Sequence, residues 1–380
     1  MLNSLEIKNF RSLENFQVKK LGRVNLIVGK NNSGKSSVLE ALRIYAGNAN
    51  KALLEKIAQG HDEKCYLDDP GQEGGVNTLP YEDLFTGRKF PIGESPFVIG
   101  EIDNEESLLK VNHVYLIDKE YSNTDENGQT ATITRQVSVT QLPKEGYVQV
   151  VGDGLLVFRK GNAVLIDFNK IHSSFTRFVQ DGSLIPSRFI PTQLIAMDDL
   201  AKEWDAIALT EAEDTVKEAM RIILPEFESL IFVSDVSYAG KGMRRIAKVK
   251  MKGLSYPVPL NSLGDGMVRI LQLVLNIFPA KGGFLLIDEF ENGLHYSVQE
   301  KVWQLVIELA EKLDIQVFAT THSWDCIESF SKVAFDNRAT EGVLFRVGQS
   351  VRTSDKGRVI ATVFDEQQLY NITQADVEVR

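Results

Sequence analysis

Cysteine and histidine are scarce in this chain, and their positions exclude several kinds of site. Of 380 residues, only 2 are cysteines and 5 are histidines. Cys65 and Cys326 lie far apart. Although His61 stands near Cys65, no CxxC pair or further ligand pair completes a metal set. Two distant thiols are typical of a reducing compartment, and they exclude a disulfide framework or a zinc finger.

Long apolar runs are also missing. No stretch of eighteen or more apolar residues occurs, so the sequence predicts no membrane span. The opening MLNSLEIKNFRSLENF places Glu6, Lys8 and Arg11 where a signal peptide has its apolar run. We therefore expect a cytoplasmic protein that has no membrane partner.

Positive charge is in deficit over the whole chain. The formal net charge of −10 argues against a surface that binds nucleic acid all over. One strip is basic, because AGKGMRRIAKVKMKG (239–253) holds six basic residues and no acid. Lys248, Lys250 and Lys252 alternate with apolar residues and would share one face of a strand. That face is either a DNA-binding surface or a solvated lysine edge that discourages pairing between molecules.

The first motif that is present is a phosphate-binding loop. RVNLIVG (23–29) predicts a short buried strand, and SSVLEALRIY (36–45) predicts a helix with one apolar face. Between them stands the spacing Gly29-x-x-x-x-Gly34-Lys35-Ser36. The glycines let backbone N–H groups converge on phosphate oxygens, and the helix N-terminus adds positive potential.

The P-loop pattern predicts roles for the lysine and the serines of this loop. Lys35 would neutralise the outer phosphates, and Ser36 would hold Mg²⁺. Ser33 and Ser37 would be bystanders or minor phosphate contacts. The sequence therefore predicts a nucleotide-binding protein, with a merely structural turn as the weaker alternative.

Two further strands end in polar residues suited to nucleotide chemistry. GGFLLIDEF (282–290) predicts a buried strand that ends in Asp288 and Glu289. The aspartate would hold the Mg²⁺ water shell, and the glutamate could polarise an attacking water. IQVFATTHS (315–323) predicts a third buried strand that ends at His322. Ligands gather at the carboxyl ends of strands in such sheets, which favours a functional role for this histidine.

A second helix start is also suited to anions. In LNSLGDGMVRILQLVL (260–275), small residues precede a helix whose Val268, Leu271 and Leu275 share one side. A helix that begins after small residues such as Ser262 and Gly264 leaves its first backbone N–H groups accessible, and such a helix end is suited to bind an anion. Its simplest purpose is to serve a nucleotide held by another copy of the protein. A plain turn that caps a helix is the alternative.

The order of these motifs resembles the ATPase head of the ATP-binding-cassette (ABC) type. Within that type it resembles the SMC-like and OLD-family (overcoming lysogenization defect) ATPases, including stand-alone bacterial ones. LEIKNFRSL is similar to their opening strand, GKNNSGKSS to their Walker A, SLGDGM to their signature, LLIDEFENGLH to their Walker B and D-loop, and ATTHS to their His switch. The signature matches the LSGGQ of transporters at Ser262 and Gly264 and departs from it at Leu263 and Asp265.

The resemblance covers residues 1–50 and about 185–345, and it implies an α/β fold. That fold is an ABC-type P-loop head with a mixed sheet flanked by helices, a β-rich insertion and a short helical hairpin. It implies ATP and Mg²⁺ as cofactors and two ATP molecules clamped between two heads. Ser262 would reach the γ-phosphate held by the partner, and His322 would sense the γ-phosphate of its own chain.

The site residues that the motifs and the resemblance predict fall into three groups. The catalytic residues are Glu289 as general base, His322 and Lys35. The nucleotide-binding residues are Gly29, Asn31, Asn32, Ser33, Gly34, Lys35, Ser36, Ser37, Arg11, Ser262 and Gly264. The metal-binding residues are Ser36, Asp288 and Gln193, the last as a candidate Q-loop glutamine with a plain surface glutamine as the alternative.

The chain divides by character into three predicted parts. Residues 1–50 form the N-terminal lobe, 51–184 a β-rich insertion that flanks or covers the ATP site, and 185–380 the rest of the head. Two helices are predicted within 198–224, the second capped by Thr210. Ser297 and Glu300 predict a capping box for a later helix. No heptad array indicates the long coiled-coil arm of SMC proteins.

Two functions fit these observations, and both involve a dimer or larger homo-oligomer. The first is the sensor or motor of a bacterial anti-phage defence system. Only 58 residues follow His322, without the spacing of a Toprim nuclease, so a separately encoded effector nuclease of Toprim or HNH type is expected. The second is a DNA repair or recombination ATPase that clamps DNA through the lysine face. A transporter subunit is disfavoured by the signature. A GTPase is disfavoured because Asn169-Lys170-Ile171-His172 lacks the acid that reads guanine.

Overall fold

A computed structural model describes most of the chain. The described residues are 1–61, 80–124, 130–143, 149–169, 184–234, 244–337, 340–355, 357–364, 368, 369 and 371. Cys65, residues 170–172 and the first part of the basic strip, 239–243, entered the predictions above and lie outside these ranges.

The described elements are strands and helices that follow one another in runs along the chain. The strands are β1 Leu5–Phe10, β2 Leu13–Val18, β3 Val24–Val28, β4 Phe97–Gly100, β5 Leu109–Thr124, β6 Thr130–Val139, β7 Val150–Arg159, β8 Asn162–Asp167, β9 Ser187–Ile190, β10 Phe227–Ser234, β11 Arg245–Met251, β12 Val258–Pro259, β13 Phe284–Ile287, β14 Gln316–Thr321, β15 Gly342–Gln349 and β16 Val359–Phe364. The α-helices are α1 Lys35–Ala46, α2 Lys51–Gly60, α3 Met197–Ile207, α4 Glu211–Ile223, α5 Asp265–Ile277, α6 Tyr296–Lys312 and α7 Trp324–Asp336. None of the helices in this described part is long and apolar enough to cross a membrane.

A mixed six-stranded sheet forms the centre of the molecule, in the order β16-β15-β3-β14-β13-β9. Strands β9, β13, β14, β3 and β15 are parallel, and only β16 runs antiparallel to its neighbour. Sequences such as VNLIV and FLLI are continuously apolar because these strands are covered on both faces. The carboxyl ends of β3, β14 and β13 meet at one edge, which brings together the loops that follow them.

The central sheet separates two hydrophobic cores. Alternate residues of β13 face opposite sides, so Leu285 and Ile287 join one core and Phe284 and Leu286 join the other. The first core is shared with helices α3 to α7, and the second with α1 and an antiparallel sheet. The architecture is therefore layered α/β with mixed strands, and the predicted fold class is confirmed.

The antiparallel sheet has seven strands in the order β2-β1-β4-β5-β7-β8, with β6 paired to β5. Strand β1 pairs with β4 through Glu6↔Gly100, Ile7↔Ile99 and Lys8↔Val98. The β-rich segment predicted as an insertion thus continues the sheet of the N-terminal hairpin instead of forming a sheet of its own. The proposed division at residues 50 and 184 stays a prediction.

A small three-stranded sheet carries the lysine strip. Its order is β10-β11-β12, so β11 is the central strand. Ala247 and Val249 are buried, and Lys248 and Lys250 lie on the opposite face, as the strand period predicts. Strand β11 pairs with β10 along its length and with β12 at Lys248 and Val249, so the predicted lysine edge is covered at those two positions.

The helices confirm the predicted hairpin and correct two details. Thr210 caps α4 by accepting from the backbone N–H of Ala212. The predicted capping box at Ser297 is wrong, since His295 is the N-cap of α6 and its side chain accepts from the backbone N–H of Ser297. Helix α5 is buried on all sides from Met267 to Ile277, not on one stripe only, because it lies in the first core between the sheet and the neighbouring helices.

Candidate functional site

The loop between β3 and α1 has the backbone of a phosphate cradle. Gly29 has φ +154° and Gly34 has φ +105°, and Asn32 also adopts a left-handed conformation at φ +60°. A Cβ atom at Gly29 would stand 2.3 Å from the carbonyl oxygen of Val347, so only glycine fits there. Gly34 caps α1 without any side-chain hydrogen bond, which leaves the first N–H groups of the helix open to an anion.

Lys35 is the first residue of α1 and folds back over the loop. Its Nζ donates to the carbonyl oxygens of Gly29 at 2.7 Å and Lys30 at 3.1 Å. Burial lowers the pKa of Lys35, and the charges of Asp288, Glu289 and Glu291 oppose that lowering. The lysine and the carboxylates after β13 therefore lie within electrostatic reach of one another.

The remaining loop residues line the cradle at different depths. Asn31, Asn32 and Ser36 are exposed, Ser37 is half-buried, and Ser33 is buried. A cavity of about 530 Å³ adjoins the loop on the side of β15. It is lined by residues 30–33 and 346–351.

Asp288 follows β13 and is held by two hydroxyl groups. Thr320 Oγ1 donates to Oδ1 at 2.8 Å, and Thr192 Oγ1 donates to Oδ2 at 3.1 Å. Gln193, the predicted metal contact, is exposed, and its neighbour Thr192 makes the bond to Asp288. The carboxylate is thereby oriented by strands on both sides of β13.

Glu289 adopts a backbone conformation that is uncommon for a residue with a side chain. Its φ is +47°, a region that costs about 1–2 kcal/mol for residues other than glycine. The backbone N–H of Glu289 donates to Thr320 Oγ1 at 2.9 Å, and the next N–H, of Phe290, donates to the Thr320 carbonyl at 2.9 Å. Strain of this kind is typical of functional sites, where neighbouring groups fix the backbone.

Arg269 of α5 also supports the turn that follows β13. Its guanidinium donates to the carbonyl oxygens of Pro191, Asp288 and Glu289 at 2.7, 2.8 and 2.7 Å. The residue is 1% exposed. Burial lowers the pKa of Arg269 to about 10, and the nearby carboxylates, led by that of Asp288, oppose the lowering. Arg269 therefore ties α5 to the ends of β9 and β13.

His322 lies at the end of β14 and faces two carboxylates. Its Nδ1 is 3.6 Å from Glu289 Oε1 and 3.3 Å from Glu291 Oε1. Its backbone N–H donates to Glu291 Oε1 at 3.1 Å. The three loops after β3, β13 and β14 thus supply a lysine, three carboxylates and a histidine to one edge of the sheet.

The predicted signature stands at the N-terminus of α5. Ser262 belongs to a 3₁₀ turn, Leu260–Leu263, and Gly264 is the N-cap of α5 with φ +96°. Both residues are exposed, and a Cβ at Gly264 would meet no atom within 4 Å. The Ser262 hydroxyl donates to the carbonyl of Pro259 at 2.6 Å. Gly293 of the predicted D-loop packs beside Asp265.

Arg11 lies in the tight turn between β1 and β2. Its Nε pairs with Glu40 Oε2 at 2.7 Å, and Glu40 also pairs with His61. A Cβ atom at Gly34 would stand 3.4 Å from the hydroxyl oxygen of the neighbouring Ser12. The turn is therefore adjacent to the cradle, with the Arg11 side chain engaged by helix α1.

Four residues of this edge were absent from the sequence prediction. Glu291 could have been found as a third acid in DEFE, and Arg269 as the only charge in MVRILQLVLNI. Thr192 and Thr320 gave no signal, because their hydroxyl groups matter only through contacts with residues 96 and 32 positions away.

Fold and site together define a class of enzyme. A P-loop at the carboxyl edge of a parallel sheet, with a Lys beside an Asp-Glu pair, is the site of a nucleoside triphosphatase. Helix α5 adds a second helix N-terminus that has no side-chain cap.

Comparisons with known proteins agree with this class. The family model described as "AAA ATPase domain" matches residues 1–144. The model described as "AAA domain, putative AbiEii toxin, Type IV TA system" matches residues 205–325. The chain is 24% identical over 349 residues to an ATP/GTP phosphatase of Helicobacter pylori, and the match covers 88% of each chain. The chain is therefore an ATPase that is similar to AAA domains over two separate parts of its length.

Solved structures of SMC heads show a loose likeness to the whole chain. One is the SMC head bound to the C-terminal winged-helix domain of ScpA, with a TM-score of 0.49, 14% identity, and coverage of 96% of this chain and 97% of that one. Another is the head with an extended coiled coil bound to the C-terminal domain of ScpA from Pyrococcus furiosus, with a TM-score of 0.49, 11% identity and 99% coverage of both chains. The likeness is too loose to bear on individual residues.

Proposed function

We propose that two copies of this ATPase associate on ATP and that each completes the active site of the other. The observation that carries this proposal is the exposure of Ser262 and Gly264 at the uncapped start of α5. Open N–H groups at a helix N-terminus bind anions, and here they face solvent instead of their own chain. Asp265 and Gly293 are in contact, so the same surface presents the signature and the D-loop.

Within each half-site, different residues bind the phosphates, bind the metal ion and activate the attacking water. The backbone N–H groups of residues 29–36 and the Lys35 ammonium bind the phosphates. Ser36 and Asp288 offer hard oxygen donors, which fit Mg²⁺ as the ion that neutralises the β- and γ-phosphates. Glu289 accepts a proton from the attacking water, and His322 contacts the γ-phosphate. Arg11 would reach the nucleotide only after leaving Glu40.

Trapping experiments test the self-association. Glu289→Gln preserves the shape of the base but not its function, so we expect ATP to hold this variant as a stable dimer or larger particle. Lys35→Ala removes phosphate binding, so no ATP-dependent association is expected. Light scattering after size exclusion measures the mass of both variants, and an unchanged monomer mass under every nucleotide condition would contradict the proposal.

Complementation tests the composite site directly. Ser262→Arg places a long side chain at the exposed signature, and Ser255→Arg in the same exposed region is the matched control. Lys35→Ala and Ser262→Arg chains should each be inactive alone. Their equimolar mixture should regain activity, because a mixed dimer joins the intact phosphate loop of the Ser262→Arg chain to the intact signature of the Lys35→Ala chain and so carries one complete site of two. No recovery on mixing would count against sites built between copies.

We further propose that the ATPase drives a bacterial anti-phage defence complex with a separately encoded effector nuclease of Toprim or HNH type. Support comes from the resemblance of the motifs to stand-alone bacterial ATPases and from the family description that names a putative toxin. Purification from the native host should bring the nuclease with the wild-type chain. Lys35→Ala should abolish protection against phage in a plaque assay. A recombination factor in place of a nuclease would favour the alternative.

That alternative is an ATPase that clamps DNA for repair or recombination. It is favoured by the outward face of β11, where Ile231 and Lys248 lie side by side and Lys252 follows the strand. Lys250 is partly neutralised by Glu228 at 2.9 Å. Changing Lys248, Lys250 and Lys252 to Glu should abolish DNA retention in a filter assay and leave ATP binding intact, whereas unchanged retention would dismiss this face.

A further inference from the structure

The first residue of helix α5 is an acid, although the start of this helix is where a phosphate should bind. Asp265 follows Gly264 at the uncapped N-terminus, and it is exposed. A carboxylate stabilises a helix N-terminus in a single molecule, but it repels a phosphate that approaches the same N–H groups. Binding of a γ-phosphate at this end of α5 therefore requires a cation close to Asp265.

The surroundings of Asp265 in its own chain supply no such cation. Among the described residues, its side chain takes part in no ion pair and no hydrogen bond. The groups beside it are uncharged, because a Cβ atom at Gly293 would stand 3.6 Å from the Asp265 Cβ. A Cβ atom at the next residue, Gly266, would stand 3.2 Å from Cδ1 of Ile223. The cation has to come from another molecule.

A cavity beside the phosphate-binding loop offers two cations of this kind. It has a volume of about 530 Å³, lies between the loop and β15, and is lined by Lys30 and Arg346 but by no acid. Both residues are exposed, and neither makes an ion pair within the described ranges. Lys30 belongs to the loop itself, where its carbonyl oxygen accepts from Lys35 Nζ at 3.1 Å. The positive cavity thus adjoins the place that holds the phosphates.

Two further residues of the cavity favour a protein as its occupant. Ser33 Oγ is buried and has no hydrogen-bond partner in the described part of the chain, and buried polar groups are seldom left in that state. Val351 is 100% exposed. A lone anion would leave this apolar side chain in water, whereas a second chain would cover it.

We propose that Asp265 of one copy forms an ion pair with Lys30 of the other copy when two copies associate on ATP. The inference rests on the composite site proposed above, because it names two charges that such a site brings together. In a symmetric dimer the pair forms twice. Each copy carries a net charge of −10, so the two pairs also offset repulsion where the copies meet, and Arg346 adds positive potential to the same cavity.

Charge reversal in the Glu289→Gln background, where ATP should hold the dimer, is the first test. Asp265→Lys and Lys30→Glu should each weaken ATP-dependent association at least about tenfold for each pair, and hence about a hundredfold for a dimer with two pairs. Both reversals in one chain should restore most of the association, because the pair forms again with its charges exchanged. Analytical ultracentrifugation measures the dissociation constant, and a fluorescent ATP analogue measures nucleotide binding by each variant.

Two exposed residues provide matched controls. Glu211 is likewise the first residue of a helix, α4, but the far end of that helix, at Ile223, lies beside Gly266. Glu211 is therefore about 18 Å from the signature. Lys281 precedes β13, so it lies at the opposite edge of the parallel sheet from the P-loop. Glu211→Lys and Lys281→Glu should leave the association unchanged, which separates the pair from an effect of net charge.

Cross-linking tests the same contact without reversing a charge. Asp265→Cys and Lys30→Cys, combined in the Glu289→Gln chain, should give a disulfide-linked dimer when diamide oxidises the two thiols in the presence of ATP. The single cysteine variants retain Cys65 and Cys326 and should stay uncross-linked. Electrophoresis without reductant measures the yield.

The outcomes distinguish failure of the ion pair from failure of the composite site. If Glu289→Gln forms no dimer with ATP, both proposals fail. If the dimer forms but the double reversal associates no better than Asp265→Lys, the acid serves only its own helix, and the inference fails while the composite site stands. Should Lys30→Glu no longer bind ATP, the cysteine pair decides, because an ATP-bound dimer that does not cross-link would also overturn the inference.

Discussion

Replacement of Arg269 by methionine tests how the catalytic turn is held in place. Arg269 is buried, and its guanidinium bonds the carbonyls of Pro191, Asp288 and Glu289. Arg269→Met keeps most of the packing of the side-chain stem and removes all three bonds. We expect a large loss of kcat, because the Glu289 backbone loses the bond that favours its left-handed conformation.

The magnitude follows from two opposing contributions. Hydrogen bonds from a charged donor contribute about 1.5–3 kcal/mol each. Against them stands the burial of the charge, since lowering the pKa of Arg269 from its ordinary value to about 10 corresponds to roughly 3 kcal/mol. The net loss of unfolding free energy in Arg269→Met should therefore be only about 3 kcal/mol.

The effect on catalysis is expected to be sharper than the effect on stability. Loss of the single bond to the Glu289 carbonyl, about 1.5–3 kcal/mol, removes support from a conformation that already costs about 1–2 kcal/mol. At about 1.4 kcal/mol for each factor of ten, kcat should fall about 10- to 100-fold. The kcat of Arg269→Lys should lie between those of the wild type and Arg269→Met, because one ammonium group cannot reach carbonyls on two separate segments.

Phosphate release at saturating ATP measures kcat, and a fluorescent ATP analogue measures binding. Arg221→Met is the matched control, since Arg221 donates to the carbonyl of Phe227 at 3.1 Å away from the catalytic edge. It should lose stability without losing kcat. A folded Arg269→Met that hydrolyses ATP at the wild-type rate would refute the reasoning.

Three further predictions concern the same edge. Gly29→Ala should abolish ATP binding in a fluorescence titration, because its Cβ would stand 2.3 Å from the Val347 carbonyl; normal affinity would show that the loop can shift. Thr320→Val should lower kcat about tenfold and the unfolding free energy by about 1–3 kcal/mol, since it leaves the Glu289 N–H and Asp288 Oδ1 without their hydroxyl partner. Unaltered kcat and an unaltered denaturation midpoint would contradict that role. Removal of divalent cations with a chelator should weaken ATP binding at least about tenfold, because Asp288, Glu289 and Glu291 place three negative charges near Lys35, where they would repel a triphosphate. Calorimetry that finds equal affinity with and without Mg²⁺ would disprove this prediction.

The sequence predicted the parts of the fold and site that depend on neighbouring residues. The P-loop, the strand that ends in Asp288 and the strand before His322 each carry their signal within about ten residues, because glycine spacing and apolar runs are local. The parallel order of the strands then places these loops at one edge without further information.

Contacts across long sequence separations were not predictable in the same way. The pairing of β1 with β4 joins residues at least ninety positions apart, and no pattern in either strand names its partner. The cap of α6 illustrates a different limit. Ser297 with Glu300 fits the capping pattern, yet His295 starts the helix two residues earlier because its ring can also accept a backbone N–H.

The balance of charge at the catalytic edge explains why its supporting residues take the form they do. Asp288, Glu289 and Glu291 are opposed by the cations of Lys35 and Arg269, whose pKa values are lowered by burial and held up by those carboxylates. Arg269 donates to carbonyl oxygens and not to the carboxylates themselves, so it supports the backbone and leaves the carboxylate of Glu289 without a hydrogen bond from Arg269. Threonine hydroxyls, which carry no charge, orient Asp288. The carboxylate charge thus remains available for a cation and for the proton of the attacking water, which is what hydrolysis of a triphosphate requires.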